Sequence, residues 1–196
     1  MQTTQHANSI PQSTPSLNAS MSSSTDTMDM LNIDVNNPRE IRNLLGQFAT
    51  GVTVITTCAK DGRKVGMTAN SFSSLSLDPP LILWSLSKTA PSLNDYSSAE
   101  HFAIHMLAQE DHHLSGHFAR PAADKFAGIA HQSCPMAGVP VLEGALATLV
   151  CRNIQQYEGG DHVIFIGQIE RYQQRAGQPL LFHAGQYRVA SAHPDL

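Results

Sequence analysis

From Gly51 onward the chain offers one extended run after another, and its few helical stretches do not alternate with them. VTVITTC (52–58) is β-branched up to its cysteine, Lys60-Asp61-Gly62-Arg63 makes a turn, and KVGMTA (64–69) resumes the extended pattern. That combination predicts a hairpin. LILWSL (81–86), HFAIHML (101–107), GALATLVCRNIQQY (144–157) and HVIFIGQIERY (162–172) repeat the strand signal. Asp78-Pro79-Pro80 and Glu158-Gly159-Gly160-Asp161 punctuate them. Short helices fit 90–98, 109–118 and 122–127. A parallel sheet needs a crossover, usually a helix, between each pair of strands. This order of segments does not supply one, so the expected fold is mainly β, an antiparallel barrel with peripheral short helices.

The start of the chain reads differently. Residues 1–36 are rich in Ser, Thr, Gln and Asn with no periodicity, which predicts a disordered N-terminal extension ahead of one folded domain over 37–192. Asn37 is a natural N-cap, Pro38 suits the first helical position, and Glu40 stands where a capping box places its acid. Ile41, Leu44, Leu45 and Phe48 then follow at helical spacing.

Composition excludes several classes. Twelve basic against sixteen acidic residues leave a net charge of −4, and no basic cluster offers a nucleic-acid footprint. Cys58, Cys134 and Cys151 form no CxxC pair, which fits a reducing compartment and small structural thiols. No run approaches the roughly 18 apolar residues of a membrane span. The first Lys or Arg is Arg39, unlike the basic start of a signal peptide, so a cytoplasmic protein is expected. No GxGxxG, P-loop or GxSxG sequence occurs. In DHHLSGH, His113 and His117 share a helical face, but neither a third ligand nor an HExxH acid accompanies them, so no metal is expected. His101 and His105 share one strand face opposite Phe102, Ile104 and Met106 and are expected to face solvent or an interface.

The chemistry concentrates in GMTANSFSSLSLDPPLILWSLSKTAPS (66–92). Thr68, Ala69, Asn70 and Ser71 are small enough for a planar ring to approach the main chain. Ser85, Ser87, Lys88, Thr89 and Ser92 gather donors and one cation around an expected helix start. A flavin needs both: donors near the ring positions that gain negative charge on reduction, and hydroxyls or a cation for its phosphate. The residue types alone leave a plainer alternative open, turn and cap residues on a polar rim.

Six segments, in order, resemble the flavin reductase domain of two-component flavin-dependent monooxygenases: LGQFATGVTVITT, the 66–92 stretch, ADKFAG, VLEGALATLVC, GGDHVIFIGQIE and PLLFHAGQYR. The resemblance runs from about Ile41 to Val189. It implies an FMN-binding split β-barrel, a homodimer, FMN or FAD as flavin, and NADH or NADPH as hydride donor. By the same resemblance, Thr68, Ala69, Asn70, Ser71 and Ser74 would bracket the ring and ribityl chain. Ser85, Leu86, Ser87, Lys88 and Thr89 would take the phosphate, with Ser92 beside them. Lys125 and Phe126 would sit at the flavin's outer end. In Gly160-Asp161-His162, His162 would receive the nicotinamide and is the catalytic candidate, and Tyr187 and Arg188 would contact a cofactor or brace the barrel.

The reaction so implied is hydride transfer from nicotinamide to flavin, after which reduced flavin leaves for a separate oxygenase. The chemistry belongs to the cofactors, so the protein's task is to stack the two rings about 3–3.5 Å apart. That fits a chain without a catalytic triad. The rival readings are a pyridoxine-phosphate-type FMN oxidase, which would want a basic cluster for its substrate, and a non-catalytic flavin- or haem-binding module.

Overall fold

The structure, a computed structural model, describes residues 31–195. The expected extension over 1–36 therefore lies outside the described residues, apart from residues 31–36, which are exposed chain with a turn at 35–36. Asp34–Leu196 form one compact unit.

The unit opens with helix α1 (Pro38–Leu45) and strands β1 (Thr50–Gly51), β2 (Thr53–Cys58), β3 (Lys64–Ala69), β4 (Ser73–Leu77) and β5 (Pro80–Ser87). Helix α2 (Leu93–Ser98), β6 (His101–Met106), a 3-10 turn at Gln109–Asp111 and helix α3 (His112–Ala119) follow. The chain closes with β7 (His131–Ser133), β8 (Pro140–Leu142), β9 (Ala147–Gly159), β10 (His162–Gln174), β11 (Leu180–His183) and β12 (Gln186–Val189). Seven strands form one antiparallel sheet in the order β3-β2-β6-β9-β10-β5-β4. Small sheets β1-β11-β12 and β7-β8 flank it. The fold is mainly β, with antiparallel sheets and few short helices.

Local chemistry explains the elements the sequence announces. Asn37 caps α1: its side chain accepts from the Glu40 N–H at 3.3 Å, and its amide donates to the Glu40 carboxylate at 3.2 Å. No residue of α1 is buried, so Leu44 and Leu45, with Phe48 just beyond, turn an apolar face outward. One core lies on one side of the sheet, where Trp84 stacks on Phe165 at 4.5 Å and meets Tyr96 and Phe102 edge-on. The Tyr96 hydroxyl is buried with it and donates to the Ile55 carbonyl at 2.6 Å. A second core of Val54, Leu107, Leu114, Phe118, Phe126 and Leu142 lies beneath α3.

Two expectations are corrected. Residues 122–127 are not helical: Asp124 turns its carboxylate onto the Phe126 N–H at 2.8 Å, a local bond that competes with a helix. His105 does not face solvent but is fully buried. Its Nδ1–H donates to the Val54 carbonyl at 2.9 Å, and its Nε2 accepts from the Leu142 N–H at 3.0 Å. Burial holds its pKa down at about 4. His101 is largely covered too, with Nε2 3.1 Å from the Glu170 carboxylate.

Candidate functional site

A groove of about 540 Å3 runs between β3 and α3, with the segments around Leu86–Ser92 and Pro121–Lys125 as its other walls. Val65, Met67, Leu86 and Phe118 give it apolar sides, while Thr68, Ser92, Lys125 and Arg63 add polar groups. That size and mixture match small-molecule clefts. Gly66 is essential to its floor, because a Cβ there would lie 2.6 Å from the Phe118 ring. The absent side chain lets the β3 backbone lie directly against that ring.

Lys125 reaches back into the groove. Its ammonium donates to the carbonyls of Gly66 at 3.0 Å and Phe118 at 2.8 Å, and burial lowers its pKa. Phe126, its neighbour, turns the other way into the second core, edge-on to Phe118 at 5.4 Å. Thr68 donates to the Ser115 carbonyl at 2.6 Å, and the Tyr187 hydroxyl donates to Ser115 Oγ at 2.8 Å. Ser115, buried on α3, thus ties Tyr187 of β12 to Thr68 of β3.

A second cluster forms where β5 ends against the start of β10. Ser87 pairs with His162 and Leu86 with Val163, and the Lys88 N–H donates to the Asp161 carbonyl at 2.9 Å. The Ser87 and Thr89 hydroxyls are 2.9 Å apart. Gly160 supplies the left-handed turn (φ 63°) that carries Asp161 to this corner. The Lys88 ammonium pairs with the Glu158 carboxylate, and both are well exposed. His162 is half-exposed and donates from Nδ1 to the Asp161 carboxylate at 2.7 Å, which orients the ring and keeps Asp161 below its usual range. Among the described residues its Nε2 makes no hydrogen bond.

Of the residues singled out in the sequence, Thr68, Leu86, Ser92 and Lys125 line the groove. Ser85, Ser87, Lys88, Thr89, Gly160, Asp161 and His162 gather at the adjoining corner, joined to the groove through Leu86. Ser71 closes the gap between β3 and β5: its hydroxyl donates to the Ser85 carbonyl at 2.9 Å and accepts from the Ser85 N–H at 3.0 Å. Ala69 is buried in the first core, Asn70 is exposed beside it, and Ser74 sits exposed on β4 opposite Ile82. Arg188 pairs with Leu181 on the exposed β12. His113 Nδ1 lies 3.3 Å from the Glu110 carbonyl and His117 Nε2 lies 2.7 Å from the Lys125 carbonyl, so backbone oxygens occupy one nitrogen of each. Sequence reading missed Ser115, Phe118 and Glu158. Phe118 and Ser115 carried a faint signal, lying on the same α3 face as Leu114.

Known proteins resemble this chain over most of its length. The model of the flavin reductase like domain matches residues 45–191. The chain is 43% identical over 153 residues to the NADH-dependent FMN reductase SmoA of Agrobacterium fabrum, covering 77% of this chain and 85% of that protein. It is 42% identical over 153 residues to the reductase component of the flavin-dependent trigonelline monooxygenase of Acinetobacter baylyi, covering 78% of this chain but only 49% of that longer protein. An NADH:FAD oxidoreductase of Streptomyces globisporus, solved with NAD and FAD fragments, superimposes with a TM-score of 0.77 at 34% identity, covering 85% of this chain and 99% of that one. The chain therefore belongs to the flavin reductase like domain family.

Proposed function

We propose that this chain is an NAD(P)H:flavin oxidoreductase that reduces FMN or FAD and supplies free reduced flavin to a separate monooxygenase. The observation that carries it is the continuity of the groove with the Ser87–His162 corner through Leu86. A flat slot bounded by Met67, Leu86 and Phe118 suits an isoalloxazine ring, and Thr68 and Lys125 place polar groups along its edge. At the corner, Ser87, Lys88 and Thr89 suit a phosphate. The exposed Lys88–Glu158 pair is no obstacle, since surface ion pairs contribute only about 0–1 kcal/mol and a phosphate can replace the carboxylate.

The hydride passes from nicotinamide to flavin by chemistry intrinsic to the cofactors. The chain's part is to bind, orient and release. His162, aimed by Asp161, presents its ring at the edge of the site and receives the nicotinamide. The partner oxygenase is inferred from relatives named as monooxygenase reductase components.

The architecture we propose is a split barrel over 37–192, supported by the Ser71 hydroxyl that fastens the exit of β3 to β5. We further propose a homodimer. The outward Leu44, Leu45 and Phe48, with Leu75 and Leu77 of β4, are more apolar surface than a lone chain gains from exposing. No helix among the described residues is long and apolar enough to cross a membrane. Three unpaired cysteines fit a reducing cytoplasm.

The purified chain should bleach FMN or FAD anaerobically on addition of NADH or NADPH, and should bind FMN more tightly than riboflavin. Failure to bleach either flavin would overturn the function, equal affinity for FMN and riboflavin the phosphate site, and a sedimentation mass of 21.2 kDa the dimer. His162→Ala should raise the KM for NADH about tenfold while leaving the flavin Kd within about twofold of wild type. Wild-type KM and kcat for both nicotinamides would refute the role of His162.

A further inference from the structure

Within 85–92 and 158–163, the two segments that build the corner beside the groove, Lys88 is the sole Lys or Arg and faces two acids, Glu158 and Asp161. Its ammonium is already in contact with the Glu158 carboxylate. Asp161 feels the same charge: its carboxyl is held low first by the His162 hydrogen bond and, to a smaller degree, by Lys88. The corner thus balances its one lysine before any ligand arrives. A site built to retain a phosphate leaves its cation without a counter-charge. This one does not.

Backbone register keeps Glu158 at hand. Val163 of β10 pairs with Leu86 of β5 on one side and with Glu158 of β9 on the other. Residues directly opposite each other across a ladder point to the same face. Glu158 therefore stands on the sheet face whose Leu86 lines the groove. The turn at 160–161 carries the chain straight on into β10, where the Asp161 carbonyl accepts the Lys88 N–H at 2.9 Å. Among the described residues Lys88 is the only hydrogen-bonding or ionic partner of the Glu158 carboxylate, which is otherwise well exposed. It is free to swing aside when a phosphate takes Lys88 and to return when the phosphate leaves. A tethered carboxylate is present at high effective concentration however dilute the flavin.

We propose that Glu158 is a release residue: it competes with the flavin phosphate for Lys88 and so sets how fast a phosphorylated flavin leaves. This role rests on the flavin-reductase reading and deepens it. A chain that supplies free reduced flavin must let it go promptly, and an internal counter-ion for Lys88 does that without altering the slot for the ring. Riboflavin, which carries no phosphate, is indifferent to it.

The experiment compares wild type, Glu158→Gln, Lys88→Ala and the double variant, each as the full chain, by fluorescence titration with FMN and with riboflavin at low and high NaCl. Gln keeps the shape of the side chain and removes its charge. Glu158→Gln should bind FMN about fivefold more tightly at low salt, with dissociation in stopped flow slowed by a similar factor, and should bind riboflavin within about twofold of wild type. The freed ammonium then attracts the phosphate with no internal compensation, so high NaCl should erase most of the gain. A merely structural glutamate would not make affinity for one flavin salt-dependent and spare the other. In the Lys88→Ala background the same substitution should change FMN affinity by less than about twofold. In a wild type that prefers FMN to riboflavin, three results each overturn this inference alone: unchanged FMN affinity in Glu158→Gln, an equal change for riboflavin, or a gain that survives the loss of Lys88. A wild type that binds the two alike overturns the phosphate corner itself, and one that reduces no flavin overturns the reading beneath it.

Discussion

Lowering the pH from 7 to 4 should remove about 3 kcal/mol of stability through His105 alone. The imidazole is fully buried, and desolvation holds its pKa at about 4 against 6.5 for the free side chain. The hydrogen bond to the Val54 carbonyl opposes that shift but does not cancel it. The second proton would have to enter at Nε2, which already accepts from the Leu142 N–H at 3.0 Å, so charging the ring sets donor against donor. Because the folded pKa is depressed, the unfolded chain binds the extra proton first. The stability is complete above pH 6.5 and is lost as pH falls toward 4. The gap between the two values, at about 1.4 kcal/mol per pH unit, sets the full loss, and the part of it incurred between pH 7 and 4 is the figure above. Urea unfolding at pH 7, 5.5 and 4 should therefore show a steep decline for wild type and a flatter one for His105→Gln. Gln retains a donor and an acceptor but cannot titrate. The exposed carboxylates Glu110 and Asp161, both held low by their partners, contribute equally in the two proteins and cancel in the difference. Parallel slopes would show that His105 is not the proton acceptor.

The same histidine marks where the sequence stops being legible. The 52–69 hairpin and the long runs that became β5, β6, β9 and β10 announce themselves through period-two or β-branched patterns several residues long. Strands β1, β7, β8, β11 and β12 have only two to four residues, too few to show any period. β4 is hidden for another reason, since SSLSL reads as a loop and is largely exposed. For His105 the alternation in 101–107 predicts one wet face, and the strand has none. In β6 Phe102, Ala103, Ile104 and His105 are all buried, so parity carries no information about solvent. At the site, hydroxyls in 66–92 and the Gly160–His162 turn were legible as chemistry. What they touch was not. Ser115 and Phe118 approach β3 from a helix some 50 positions later, and Glu158 meets Lys88 across the β10 ladder. Such meetings are set by the order of strands in the sheet, and no local spacing encodes them. Phe126 is the converse case: adjacent to Lys125 in sequence, it meets the same Gly66 and Phe118 through its ring in the core, whereas Lys125 meets their carbonyls from the groove.

Replacing Gly66 by alanine should damage fold and site together. The added Cβ would stand 2.6 and 2.7 Å from two carbons of the Phe118 ring and 3.2 Å from Phe126 Cζ. Neither ring can retreat. Both are buried and packed edge-on against each other at 5.4 Å, and Gly66 itself is held in the β2–β3 ladder opposite Thr56. Overpacking of this kind costs about 1–3 kcal/mol, and two rigid neighbours place it toward the upper end. For a chain of this length that lowers Tm by about 5–10 °C. The strain is relieved most readily by α3 moving outward, and α3 carries the Phe118 carbonyl that, with the Gly66 carbonyl, holds the Lys125 ammonium in the groove. Flavin affinity should then fall about tenfold even at temperatures where the variant is fully folded. Gly116→Ala on the same helix is the comparison: nothing lies within 4 Å of its Cβ, and removing a mid-helix glycine should stabilise by about 0.5–1 kcal/mol. Opposite signs at two glycines, read by thermal melts and FMN titration, would separate crowding at the groove floor from a general intolerance of substitution. If Gly66→Ala melts with wild type and binds FMN as tightly, the close approach of β3 to the Phe118 ring is not what shapes the groove.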